Sequence, residues 1–118
     1  MQSDAEKKWR LAVTFMIAIA MFLSVESVNA QQGAGIVITM KDHRFQPAEI
    51  HAPASRPLAI TVKNLDAAAI EFESVSLRVE KVIASGGTGV VNVRALAPGR
   101  YEFFDDFHPE ARGTLVVE

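Results

Sequence analysis

No cysteine occurs in the 118 residues, so no disulfide can staple the fold and no thiolate can act as nucleophile or soft metal ligand. No serine stands beside a base at a recognisable spacing, and no glycine-rich stretch has the pattern of a phosphate-cradling loop. Hydrolase and nucleotide chemistry are set aside on that ground. Beyond residue 30 the charges are interspersed, nine Lys and Arg against eleven Asp and Glu, and this scatter lacks the basic patch that a nucleic acid requires. No small-molecule substrate is evident either. Repeats, low-complexity tracts and any sustained helical period are also missing from this span.

What is present begins with a leader. Lys7, Lys8 and Arg10 precede an apolar run over residues 11–25, and Val28-Asn29-Ala30 offers small residues for cleavage, the pattern of an export signal over residues 1–30. The run is shorter than the roughly 20 residues a membrane-spanning helix needs. A cleaved, periplasmic chain is therefore expected in preference to one held by an uncleaved anchor. Residues 31–118 are long enough for one small domain with one core, which packing or a bound metal must stabilise in place of disulfides.

Short runs of β-branched and apolar residues recur between turn residues. They predict strands at 36–41, 49–51, 58–64, 70–74, 80–84, 90–95, 100–105 and 114–117. Leu58, Ile60 and Val62 alternate with Ala59, Thr61 and Lys63, giving one buried and one wet face. The expected fold is an all-β Greek-key sandwich of about eight strands with antiparallel sheets. Pro47, Pro53 and Pro57 bound an edge strand, while Ser85-Gly86-Gly87 and Pro98-Gly99 mark turns.

The richest stretch runs from Pro98-Gly99 through Arg100-Tyr101-Glu102-Phe103-Phe104-Asp105-Asp106-Phe107-His108-Pro109 to Gly113-Thr114-Leu115-Val116-Val117. It reads as a hairpin carrying a site. On an extended strand Tyr101, Phe103 and Asp105 share one face and Glu102 and Phe104 the other. Asp105 then sits at the rim of an apolar interior, a costly place for a charge without a cation or donors beside it. His108 stands three residues on, able to supply a second ligand. Phe103, Phe104 and Phe107 are expected in the core. Upstream, Glu71-Phe72-Glu73-Ser74 adds two carboxylates, which face outward together if Phe72 faces inward, unless the strand begins after Glu71.

The chain resembles the cupredoxins, and more closely the cysteine-free cupredoxin-like proteins found with bacterial periplasmic iron-uptake systems. The resemblance rests on Phe45-Gln46-Pro47 with Glu49-Ile50, Val62-Lys63-Asn64, Glu71-Phe72-Glu73-Ser74, Glu80-Lys81-Val82-Ile83, and the Pro98 to Val117 hairpin. It implies that His108 occupies the loop-histidine position of copper cupredoxins, Asp105 the cysteine position and Glu71 the earlier histidine position. Glu110-Ala111-Arg112 offers no methionine. A blue-copper centre depends on a copper–thiolate bond, whereas carboxylates with an imidazole make a harder site, suited to iron, manganese or zinc, and ligand hardness points to iron.

The metal ligands expected on this basis are Glu71, Asp105 and His108, with Asp106, Glu73, Glu80 and His43 as further ligands or orienters. The cofactor is an iron or copper ion. The implied role is iron acquisition, with binding and oxidation of ferrous iron; the implied partners are a periplasmic iron-binding protein and an inner-membrane iron permease or electron carrier. A second reading pairs the acids with Arg78 and Arg112 and makes the protein a cofactor-free adaptor docking on a periplasmic or membrane partner. Glu73, Glu80 and Lys81 also fit cross-strand ion pairs on a wet face. His51, flanked by Ile50 and Ala52, is read as a surface residue outside the site.

Overall fold

The computed structural model describes residues 34–118, and the expected export segment lies outside the described residues. One sheet is built from β1 (Ala34–Lys41), β2 (Arg44–Gln46), β4 (Leu58–Asn64) and β7 (Thr88–Val93), in the order β2-β1-β4-β7. The other places β3 (Glu49–Ala52), β9 (His108–Val117), β8 (Gly99–Asp105), β5 (Ile70–Ser74) and β6 (Val79–Ile83) side by side in that order. The expected all-β sandwich is present, with nine strands among the described residues and β3 at an edge between the prolines.

Period-two alternation builds the core. Leu58, Ile60 and Val62 are buried on β4 while Lys63 is exposed, and Ile38 and Met40 of β1 lie beside them. From the opposite sheet come Ile70 and Phe72 of β5, Phe103 of β8 and Leu115 of β9. Phe45 of β2 meets Phe72 and Phe103 edge-on at 6.0 and 5.1 Å, and Phe72 stacks on Phe103 at 5.1 Å. Such aromatic pairs add about 0.5–1.5 kcal/mol each beyond their burial. Gly113 on β9 is required by this packing, since a Cβ there would collide with the Phe103 ring and lie 2.9 Å from the Ala48 carbonyl oxygen.

Four expectations are corrected. The sheets are mixed: β1 pairs with β4 and β3 with β9 in parallel, because the chain crosses between the sheets before returning. Arg44–Gln46 forms a strand, too short and too polar around Phe45 to stand out in the sequence. β9 begins at His108 rather than near Thr114, so only Asp106 and Phe107 bridge the hairpin. Phe104 is half-buried on the outer face of its sheet and Phe107 is 49% exposed at the hairpin tip, so of the three phenylalanines only Phe103 is core.

Asn64 ends β4 fully buried. Its Nδ2 donates to the carbonyls of Ala68, Ile83 and Ala84 at 2.8, 3.2 and 3.2 Å, and its Oδ1 accepts the Asp66 N–H at 3.0 Å. A single amide thereby fixes the connector to β5 and the end of β6.

Candidate metal centre

Asp105 is the last residue of β8 and has no exposed surface. A register shift between Phe104 and Asp105 turns the strand there. Asp105 Oδ1 accepts the N–H groups of Glu71 and Phe107 at 2.9 and 3.1 Å, and Oδ2 lies 2.9 Å from His108 Nδ1. An ionised carboxylate only accepts hydrogen bonds, so His108 Nδ1 is the donor in this contact. The Asp106 N–H returns to the Glu71 carbonyl at 2.9 Å. The hairpin tip and the start of β5 are therefore clamped together from both sides.

Side chains on β5 divide as the alternation requires. Phe72 pairs with Asp105 and is fully buried, whereas Glu71 and Glu73 lie together on the other face of the strand, Glu71 buried at 8% exposure and Glu73 half-buried. Glu73 lies directly opposite Glu80 of β6 and opposite Phe104 of β8. Asp106, turned out at the hairpin tip, completes the group, and one carboxylate oxygen from each of Glu71, Glu73 and Asp106 lies within 4.8 Å of the others.

Like charges held this close resist ionisation. Glu80 shares a hydrogen bond with Glu71 and, with desolvation and the charges of Glu80, Asp106 and Glu73, pushes the Glu71 carboxyl up to about 7. Glu73 is raised too, by desolvation first and then by Asp106 and Glu80.

The cations named as neutralising partners do not reach this cluster. Among the described residues neither Arg78 nor Arg112 forms an ion pair. Arg112 instead lies over the Phe104 ring, 5.4 Å from its centroid. Lys81 follows Glu80 on an extended strand, and its stem lies against Gly89. The cross-strand neighbour of Glu73 is another acid.

His43 lies in the β1–β2 turn, its ring centroid 4.5 Å from that of His108 at an interplanar angle of 45°. Asp66 organises the turn, accepting the N–H groups of Asp42 and His43 at 2.7 and 2.9 Å. The His43 backbone N–H is the main cause holding the Asp66 carboxyl below the usual range. Asp66 was not among the expected site residues. Its only signal was an acid at the end of a strand, in Asn64-Leu65-Asp66.

The expected residues thus fall into two groups. Glu71, Glu73, Asp106 and Glu80 gather on the outer face; Asp105, His108 and His43 gather at the adjoining end of the sandwich. Glu71 meets Asp105 through its backbone N–H, and its carboxylate belongs to the other group. His51 is exposed at β3, between Glu49 at 3.1 Å and Glu118 at 3.3 Å. A copper–thiolate centre does not fit these residues, since there is no sulfur donor and both Asp105 oxygens are already engaged.

A family model described as "Cupredoxin-like domain" matches residues 13–117. An uncharacterized protein of Rickettsia prowazekii (strain Madrid E) is 36% identical over 83 residues, which cover 70% of this chain and 66% of that protein, slightly less than two thirds of its length. Among solved structures, the metal-binding domain of the Streptococcus pneumoniae D39 Cu(I)-exporting P-type ATPase CopA, with Cu(I), is similar at a TM-score of 0.66 and 19% identity, covering 78% of this chain and 91% of that one. A reduced Cu(I) form of an amicyanin variant gives 0.60 and 18%, covering 74% and 85%. A purple cupredoxin from Nitrosopumilus maritimus gives 0.55 and 18%, covering 72% and 99%. At such identities the solved structures show a shared fold.

Proposed function

Because the chain belongs to the cupredoxin-like domain family, we propose that it is a metal-binding protein of periplasmic iron acquisition, holding iron through Glu71, Glu73 and Asp106 with Glu80 beside them. One observation carries this reading: three carboxylates converge within 4.8 Å, with Glu71 raised to about 7, and no cation is paired with them among the described residues. Such a group holds a proton or a metal ion in preference to bare charge. The two solved relatives described above as Cu(I) forms carry a soft ion, whereas this chain offers oxygen donors, which suit harder ions.

Iron is cargo in this reading. Anionic oxygen donors favour Fe(III) over Fe(II), so the site lowers the reduction potential of bound iron and favours its oxidation. Asp105 and His108 hold the hairpin that presents Asp106. A periplasmic iron-binding protein and an inner-membrane iron permease or electron carrier are the proposed partners.

The test is anaerobic titration with Fe(II) followed by admission of air, measuring bound iron and Fe(III) formed. Wild type is expected to bind and the Glu71→Gln, Glu73→Gln double variant to lose binding. Equal behaviour of the two proteins would refute the site.

A further inference from the structure

We propose that the groove between the β5–β6 turn and β8 binds a small amphipathic monocarboxylate, its carboxylate held by Arg112 and Arg100 and its apolar body laid against Phe104 and Val75. The groove opens where two strands part. The β5–β8 ladder consists of Phe72 with Asp105 and Glu73 with Phe104. Beyond it the Ser74 hydroxyl donates to the Glu102 carbonyl at 2.6 Å, and the chain turns through residues 75–78 into β6. The space left, about 370 Å³, is lined by Val75, Ser76, Arg100, Glu102, Phe104 and Arg112. That volume lies at the small end of small-molecule sites.

The walls are fixed before any ligand binds. The Ser74 hydroxyl also accepts the Leu77 N–H at 3.2 Å, and Arg94 donates to the carbonyls of Leu77 and Ser76 at 2.8 and 3.2 Å. A ligand therefore has no loop to order, which spares it part of the cost of binding. On β8 the period of two puts Arg100, Glu102 and Phe104 on one face, and Arg112 stands opposite Phe104 on β9.

Charge and shape set the ligand class. Two guanidinium groups and one carboxylate line the groove, leaving one positive charge for a ligand to match. Arg112 forms no ion pair among the described residues and lies over the Phe104 ring, 5.4 Å from its centroid. Arg100 gives one contact to Glu49, from Nη2 to Oε2 at 3.2 Å, and a guanidinium has further N–H groups for a second carboxylate. Val75, exposed, and Phe104, half-buried, supply apolar surface. Glu102 in the groove and Glu73 beside Phe104 repel a second negative charge, so a monoanion is favoured over a dianion. This site stands or falls independently of the iron reading.

The experiment records ¹H–¹⁵N spectra of the full chain during titration with benzoate, with benzamide as the neutral comparison and phthalate as the dianionic one. Benzoate is expected to move the amide resonances of Val75, Ser76, Glu102 and Phe104. It is expected to bind more tightly than phthalate and about 10-fold more tightly than benzamide, the worth of one hydrogen bond to a charged group. Arg112 is exposed, and Arg112→Gln is expected to keep the wild-type spectrum elsewhere while weakening benzoate by a similar factor. The Glu71→Gln, Glu73→Gln double variant is expected to bind benzoate no more weakly than wild type, which separates this result from the fate of the carboxylate site. Amides that do not move, equal binding of benzoate and benzamide, or wild-type affinity in Arg112→Gln would overturn the proposal.

Discussion

Asp105 and His108 close the β8–β9 hairpin with a 2.9 Å contact between Oδ2 and Nδ1, and the same carboxylate anchors the start of β5 through the Glu71 N–H. Asp105→Ala would orphan the buried Glu71 donor and release the Phe107 N–H and the imidazole. A buried donor left unpaired costs about 1–3 kcal/mol. The urea midpoint of Asp105→Ala is expected to fall accordingly at constant m-value; a midpoint unchanged from wild type would contradict the clamp.

The acid cluster sets a pH dependence of the metal-free chain. Glu71 ionises at about 7 in the folded state against an ordinary 4.5, so the folded chain retains a proton that the unfolded chain loses. The resulting stability is fully present below pH 4.5 and is lost as the pH rises to about 7. Thermal midpoints across this window are expected to fall more steeply for wild type than for Glu71→Gln. Parallel profiles would show that the acids do not interact.

Opposition of Glu73 and Glu80 across β5 and β6 exchanges stability for binding. Glu80→Lys converts a like pair into an unlike one, a change of about 0.2–1 kcal/mol for directly opposed residues. The metal-free variant is expected to melt higher than wild type and to bind iron more weakly. Thermal melts with and without Fe(II) under anaerobic conditions read both effects.

Gly113→Ala tests the aromatic core. The added methyl would overlap the Phe103 ring, and overpacking of this kind costs about 1–3 kcal/mol. Chemical denaturation is expected to show that loss with metal affinity at the sheet face retained.

Colour separates the oxygen-donor reading from a copper–thiolate one. With no cysteine in the chain, Cu(II) is expected to give no intense blue charge-transfer band. Such a band in the visible spectrum would contradict the ligand assignment.

Much of this arrangement was legible in the sequence because strand parity is local. The inward Phe103 and Asp105, the outward Glu71 and Glu73, and the alternation along β4 all follow from period two. Parity also separates the Glu71 carboxylate from Asp105, although family resemblance groups them. Harder to foresee were features that depend on distant contacts. The irregularity at Phe104 and Asp105 lets consecutive acids serve two different faces. The approach of His43 to His108 depends on two left-handed residues held by Asp66, 23 positions away from His43. Parallel pairing of β1 with β4 reflects a crossover between sheets, which no single strand records.

The most direct test of the carboxylate site is anomalous scattering at the iron edge from crystals of the iron-loaded chain. The expected result is a single strong peak within bonding distance of Glu71, Glu73 and Asp106. Iron found elsewhere, or no ordered iron on that face, would contradict it.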